Sequence, residues 1–522
     1  MAVQSAKGRE ALSEMATPRG GGDLHLTLPG PVYAAPTLDP ALVRDNATMV
    51  IVRQLFRGLL AFDAELTLRP ALAASVTAGA DARAFEVRLR DDAAFHDGRP
   101  IRAGDVAASF VRALDPATAA GDRSLLAASG QLAGIEGADA VLAGKATHLA
   151  GLVIHDDRRF TITLADPDAA FPQKLASVAA SVVDTSTPEA SAANGSGPFR
   201  LENPSSSENL TITTTLAPDK RPGTVTSLSF LLGPSAANGG NLLQGGVVDI
   251  APGLGADQAA LISDPAVGGA FTVTAVPEFS LLYLAMGPFT PPLDDIHIRR
   301  AIQLGFPWKR LAAAAGAGVR PARGVIAPGM LDREWDADLP PYDVDLARRE
   351  VARSRYGSAE RVPPITVYTG QTALSDPLRN IGVALQEELG PRLGLRIEPV
   401  SVAWDDFLAG LPAGRFPTYA LTWVADFPDP SAFLQVLFAS DSPDNYSGYR
   451  SAAFDALIAE ALATPEPEAR AERYSSAQQM LIDDAAIVPV SFDIGYTAFR
   501  TGIVGVPASP IGLLGLESVS GA

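Results

Sequence analysis

Apolar and polar residues alternate along 23–28 (Asp-Leu-His-Leu-Thr-Leu), the period of a half-buried strand, and the ordered chain is expected to begin there. A loop over 29–40 follows. Met49, Val52, Leu55, Phe56 and Leu59 then recur at helical spacing and predict a helix from 47 to 60. Alternation returns at 85–90, 160–164 and 210–214, which predicts three more strands. His96-Asp97-Gly98-Arg99 reads as a turn, because an Asp-Gly pair supports positive φ. Arg102-Ala103-Gly104-Asp105 leads into a helix over 106–114 that stops before Pro116.

A second region starts near residue 276 with an apolar strand over 279–286. Asp294 or Asp295 can cap a helix through Ile298, Ala301, Ile302 and Phe306, and Pro307 kinks or restarts it. The pattern continues as helix 343–355, strand 364–368, an amphipathic helix over 376–390 and strand 395–400, an order of βαβ type. Strand 419–424, helices 451–463 and 468–483, and a last strand over 487–492 complete the chain. The fold class this predicts is α/β with mixed sheets. No internal repeat or long low-complexity tract interrupts it.

With 522 residues the chain exceeds one hydrophobic core, and several domains are expected. Mean hydropathy of +0.14 agrees with folding along most of the length. The formal charge of −18 argues against a nucleic-acid partner, whose binding surfaces are basic. Cysteine is absent, which excludes disulfides, thiolate metal sites, a Cys nucleophile and a lipidated Cys. No apolar run is long enough for a transmembrane helix. Residues 1–22 lack the apolar stretch of a signal peptide and read as a polar segment ending in a Gly-rich linker. A chain whose signal or anchor has been removed is the expectation; a cytoplasmic chain is the alternative.

Several blocks, in order, resemble one family. They are Leu38-Asp39-Pro40, residues 54–60 (QLFRGLL), Pro70-Ala71-Leu72-Ala73, and 85–90 (FEVRLR). The most specific is Phe95 to Val106 (FHDGRPIRAGDV). Gly195-Ser196-Gly197-Pro198-Phe199, the stretch 292–302 (PLDDIHIRRAI) and 423–430 (WVADFPDP) follow. Together they resemble the oligopeptide- and dipeptide-binding proteins of bacterial ABC importers, the family 5 extracellular solute-binding proteins. The likeness runs from about residue 24 to 505.

That resemblance implies a two-lobed periplasmic-binding-protein-like fold (type II, cluster C) with an extra inserted α/β domain. A linker would occupy 1–23. The first lobe would combine 24–50, 190–275 and 491–522, with the insertion at 51–189, and the second lobe would span 276–490. The function implied is the substrate-binding component of an ABC importer, which captures peptides in an inter-lobe cleft and delivers them to a membrane permease. A monomer is expected, with no cofactor, no metal and no catalytic residues. Its location would be periplasmic or extracellular, with membrane anchoring of the native form left open. The alternatives are another cargo (nickel chelate, haem, opine, oligosaccharide) and a ligand-sensing domain.

Asp426 is the residue the resemblance points to, because the aspartate of this segment takes the peptide α-ammonium in similar binders. An ammonium removed from water needs a fixed anion, and the charge-assisted bond is short and strong. The alternative for Asp426 is a loop-stabilising role. Trp423 and Phe427 could wall a ligand side chain or pack in the core. Ala425 would let a ligand backbone approach and pair as an added strand. Gly197, in its loop, is a further ligand-binding candidate, with a purely structural turn as the alternative. Arg299 and Arg300 are expected to make structural ion pairs on their helix. Two positions depart from the peptide binders: Ala420 stands where some carry an Arg for the peptide carboxylate, and Met286 where an Asn is frequent. His25, His96, His148, His155 and His297 are scattered, and no nucleophile elbow, P-loop or metal motif occurs, so an enzyme is not expected.

Overall fold

The computed structural model describes residues 22–28, 37–43, 45–121, 126–127, 129–186, 194–203, 209–214, 225–232, 238–264, 270–315, 318–371, 377–512 and 515–521. Residues 1–21 of the expected linker and 29–36 of the first loop lie outside the described residues. The chain forms two compact units, Met1–Val276 with Gly495–Ala522, and Pro277–Ile494.

In the first unit, strand Asp23–Leu28 pairs in parallel with Ser227–Leu232 and touches Ile250–Leu254. Asn209–Thr214 and Phe199–Asn203 extend this sheet in antiparallel fashion. Leu24, Leu26, Leu228 and Phe230 are fully buried, as the alternation at 23–28 requires. A separate four-stranded sheet runs in the order Ala73–Ala78, Ala84–Leu89, Arg159–Thr163, Leu152–Ile154. Phe85, Val87 and Leu89 on one of its strands and Phe160 and Ile162 on another share a core with Val106, Phe110 and Leu114 of helix Ala103–Leu114. The chain's last residues return to this unit: the Leu516 N–H donates to Gln54 Oε1 at 3.2 Å, and Arg57 pairs with Glu517 at 3.3 Å.

In the second unit, Ile397–Ala403, Ile365–Gln371, Thr418–Val424, Ser280–Met286 and the first half of Ile487–Arg500 lie side by side in that order. The first three are parallel. Parallel neighbours need a crossover, and the helical stretch 377–393 supplies it between Ile365–Gln371 and Ile397–Ala403. Leu284, Met286, Ile298, Ile302, Phe306, Val367, Ile381 and Val488 form the core between this sheet and its helices. All four tryptophans, 308, 335, 404 and 423, belong to this unit.

Three elements differ from the sequence expectation. The first helix spans Asn46–Leu55 rather than 47–60, and Phe56 is already extended. Phe56 and Leu59 are buried anyway, so they continue the helical spacing without the helix. Gly58 lies beyond the end, with the Leu175 carbonyl oxygen 2.6 Å from where a Cβ would sit. The helix expected over 376–390 is α-helical at Pro377–Ala384, widens to a π turn at Leu385–Leu389 and resumes at Gly390–Leu393. Pro391 has no N–H to give to the preceding turn, and the wider turn accommodates that loss. The last strand runs through Ile487–Arg500, well past residue 492: Asp493, a local breaker, still pairs with Val319, and Tyr496, Ala498 and Phe499 pair with strand Ile250–Leu254. Pro307 does restart a helix: Gly305 ends one, Phe306 is extended, and Trp308–Ala315 is the next. Asp295, not Asp294, caps the first of these, its Oδ1 accepting from the His297 N–H at 2.9 Å.

Candidate binding site

Strand Thr418–Val424 is held on both sides. Tyr419 and Ala420 align with Tyr368 and Thr369, and the strand pairs with Ser280–Met286 from Thr418↔Met286 to Val424↔Ser280. The alignment carries one residue further, since the Ala425 N–H donates to the Phe279 carbonyl at 2.8 Å. Asp426 follows directly and is half-buried. Asp426 therefore stands in a bend two residues beyond a strand that is paired on both sides.

The residues after it are locked by a buried node. Asp429 is 0% exposed, and its Oδ1 accepts from the Ser431 N–H at 3.0 Å, the Ser431 hydroxyl at 2.7 Å and the Tyr474 hydroxyl at 2.9 Å. Arg470 stands 3.6 Å from its Oδ2. Oδ2 has no hydrogen-bond partner and faces only that nearby cation, so the three bonds to Oδ1 are what fix the backbone around the carboxylate. The Ser431 bond also starts helix Ser431–Phe438, which the sequence reading missed. That helix buries Ala432, Phe433, Leu434, Leu437 and Phe438, so its apolar residues leave no one-sided stripe to read. The Trp423 indole N–H donates to the Ala432 carbonyl at 3.0 Å, which joins the strand to this helix.

Of the other candidates near Asp426, Trp423 is half-buried, while Ala425 and Phe427 are each 2% exposed. Ala420 and Met286 are both 0% exposed inside the sheet. Arg299 does not form ion pairs on its own helix. Its guanidinium donates to the carbonyls of Leu293 (2.6 Å), Asp484 (2.9 Å) and Ala485 (3.1 Å), and Arg300 reaches the Asp483 carbonyl at 3.3 Å. Both thus tie their helix to the end of Pro467–Asp483.

Gly197 belongs to the first unit. Its N–H donates to the Leu55 carbonyl at 2.8 Å, and its own carbonyl accepts from His96 Nε2 at 3.0 Å. The His96 N–H donates to Gly195 at 2.8 Å, and the Asp97 N–H to Asn194 Oδ1 at 3.1 Å. A Cβ at Gly197 would collide with the Gln54 carbonyl oxygen. Arg99 then pairs with Asp105 and Asp184 at 2.8 and 2.9 Å. The two motifs, 95–106 and 195–199, therefore form one clamp over the end of the first helix. Burial lowers the His96 pKa below its ordinary value, which keeps the ring neutral. Hydrogen bonds from Ser186 and Asn194, together with the Arg99 charge, outweigh burial at Asp184 and lower its pKa to about 2.

Two carboxylates escaped the sequence reading. Glu278 and Asp493 have no cation partner among the described residues. Burial and the charge of Asp493 push Glu278 up to about 7, and burial pushes Asp493 up to about 6. The available signal was Glu278 as a lone charge beside the apolar run over 279–286. No group of three or more His, Asp or Glu among the described residues could hold a metal ion.

The sequence profile described as bacterial extracellular solute-binding proteins, family 5 Middle, matches residues 67–445. The chain belongs to this family. Family 5 proteins bind solutes for import, so the chain is a binding protein and not an enzyme. The periplasmic oligopeptide-binding protein OppA of Escherichia coli is 26% identical over 473 residues, 87% of this chain and 85% of the relative. The probable deoxycholate-binding periplasmic protein YgiS of the same organism is 28% identical over 477 residues, 87% and 86%. Among solved structures, that of the periplasmic binding protein DppA from Helicobacter pylori with the peptide STSA has a TM-score of 0.80 at 19% identity, covering 98% of this chain and 99% of that one. At that identity the likeness establishes the family 5 fold: α/β, two-lobed and periplasmic-binding-protein-like.

Proposed function

We propose that this family 5 protein captures peptides outside the cytoplasm and delivers them to the membrane permease of an ABC importer. The names of its relatives support a periplasmic or extracellular location, and no helix among the described residues is long and apolar enough to cross a membrane. Asp426 takes the peptide α-ammonium. The observation that carries this reading is the position of Asp426, half-buried two residues beyond a strand paired on both sides and three residues before the fully buried Asp429. Trp423 offers an apolar wall, Phe427 supports the loop from within, and Ala425 leaves room for a ligand backbone. Gly197 contributes the position of its loop, since its own N–H and C=O are engaged.

Isothermal titration of short peptides tests this. Asp426→Ala should weaken binding of a peptide with a free N-terminus by about 3 kcal/mol, on the order of hundredfold, and should leave folding intact. Equal binding of free and N-acetylated peptides by the unaltered protein would refute the ammonium role.

A second reading has one observation in its favour, the 28% identity to a protein named for deoxycholate. An anionic steroid would gain nothing from Asp426. Deoxycholate binding that survives Asp426→Ala, with no peptide bound by the unaltered protein, would establish that reading instead. Native mass spectrometry of freshly purified protein would show which cargo is carried.

A further inference from the structure

The chain passes between its two units at Val276–Pro277 and again at Ile494–Gly495. Each passage has a carboxylate close by: Glu278 after the first and Asp493 before the second. The Glu278 N–H donates to the Asp493 carbonyl at 2.9 Å, which carries the pairing of strand Phe271–Pro277 with Ile487–Arg500 one residue further and sets the two residues opposite one another. Cross-strand neighbours have Cβ atoms about 4.5–5.5 Å apart, and like charges facing one another there repel. The Asp493 N–H donates to Ser280 Oγ at 2.8 Å, which fixes the second strand against the first.

The surrounding charges offer no relief. Val319 of strand Val319–Pro321 aligns with Asp493 on its other side, and Arg320 beside it is engaged by Glu334 at 3.0 Å. From the neighbouring strand, Ala425 bonds to Phe279 and is followed by Asp426, a third carboxylate. Two acids this close, partly removed from water and without a cation, lower their free energy by keeping a proton.

We propose that Glu278 and Asp493 form a proton-sharing pair that makes the two passages between the units respond to pH. With a proton bound, a carboxyl O–H bridges to the facing carboxylate and pins the strands together. With it lost, two negative charges face each other and the strands part more readily. The direction follows from linkage. Both groups are raised in the folded chain, to about 7 and about 6, above an unfolded value of about 4. The folded state therefore holds protons the unfolded chain has released, and the stabilisation is complete below about pH 4 and is lost as pH rises through 6 and 7. This device is independent of which cargo the protein carries.

Amide hydrogen exchange read by mass spectrometry tests it, on peptides covering 274–282 and 490–498, at about pH 5 and about pH 8 after correction for intrinsic rates. The unaltered protein should open these segments about tenfold more at the higher pH, the change that one unit of pKa converts to. Glu278→Gln should remove most of that difference. An equal response in the variant and the unaltered protein overturns the proposal. A carboxyl-carbon NMR titration of the unaltered protein needs no variant: titration of both side chains near pH 4 overturns it as well, and titration between about 5.5 and 7.5 supports it.

Discussion

Residues 95–106 and residues 418–431 are the two most distinctive stretches of this sequence, and they use their polar atoms in different ways. In the first, His96, Asp97, Arg99 and Asp105 are all engaged within the first unit, where they bind the 194–197 loop, Asp184 and the start of helix Ala103–Leu114. In the second, Asp429 is engaged in the same structural manner and is fully buried, while Asp426, two residues past the strand, is only half-buried. The strength of a sequence signature thus says little about ligand chemistry. The more specific motif is a clamp, and the proposed anchor is one residue of the other.

The comparison can be broken most severely at Asp429. Asp429→Ala removes an acceptor from Ser431 and Tyr474 and leaves Arg470 buried beside no anion. Unfolding of the second unit should become easier by about 3–5 kcal/mol. Because all four tryptophans lie there, urea denaturation followed by their fluorescence reports that unit directly. An unchanged midpoint would make Asp429 dispensable to the structure and remove its contrast with Asp426.

Gly197→Ala probes the clamp. The added Cβ must push against the Gln54 carbonyl, and overpacking of this kind costs about 1–3 kcal/mol. The loss should appear in the thermal unfolding of the first unit and should leave the tryptophan signal of the second where it was. The smallest effect is expected at Asp184. Its folded pKa of about 2 lies below the ordinary carboxylate value, so its stabilisation is complete above about pH 4 and fades as pH falls towards 2. Asp184→Asn should flatten acid unfolding across that window, and an acid curve identical to that of the unaltered protein would remove Asp184 from the clamp's electrostatics.

Much of the architecture could be read before any coordinates were known. Strands with one buried face declare themselves by alternation, as at Asp23–Leu28 and Ala84–Leu89. Helices with a capping Asp or Ser, such as Val344–Arg353 and Ala452–Leu462, were legible at their first turn. A strand buried all round, Ser280–Met286, still showed as an unbroken apolar run, but the short helix Ser431–Phe438 did not declare itself, and it matters because it follows the loop after Asp426. The pairing of Glu278 with Asp493 joins residues more than two hundred positions apart, and no local pattern can carry such a contact. Asp426 itself was reached only through likeness to a family. Its half-burial, and the complete burial of Asp429, needed the folded chain.

The tail governs how the molecule is made. Tyr496, Ala498 and Phe499 complete the pairing of strand Ile250–Leu254, and Leu516 and Glu517 reach back to Gln54 and Arg57. A chain emerging from the ribosome therefore lacks the closing pieces of its first unit until residues 496–517 have been added. Truncation before residue 495 would leave that unit's sheet without a strand and its opening helix without its fastening, however intact the second unit had become.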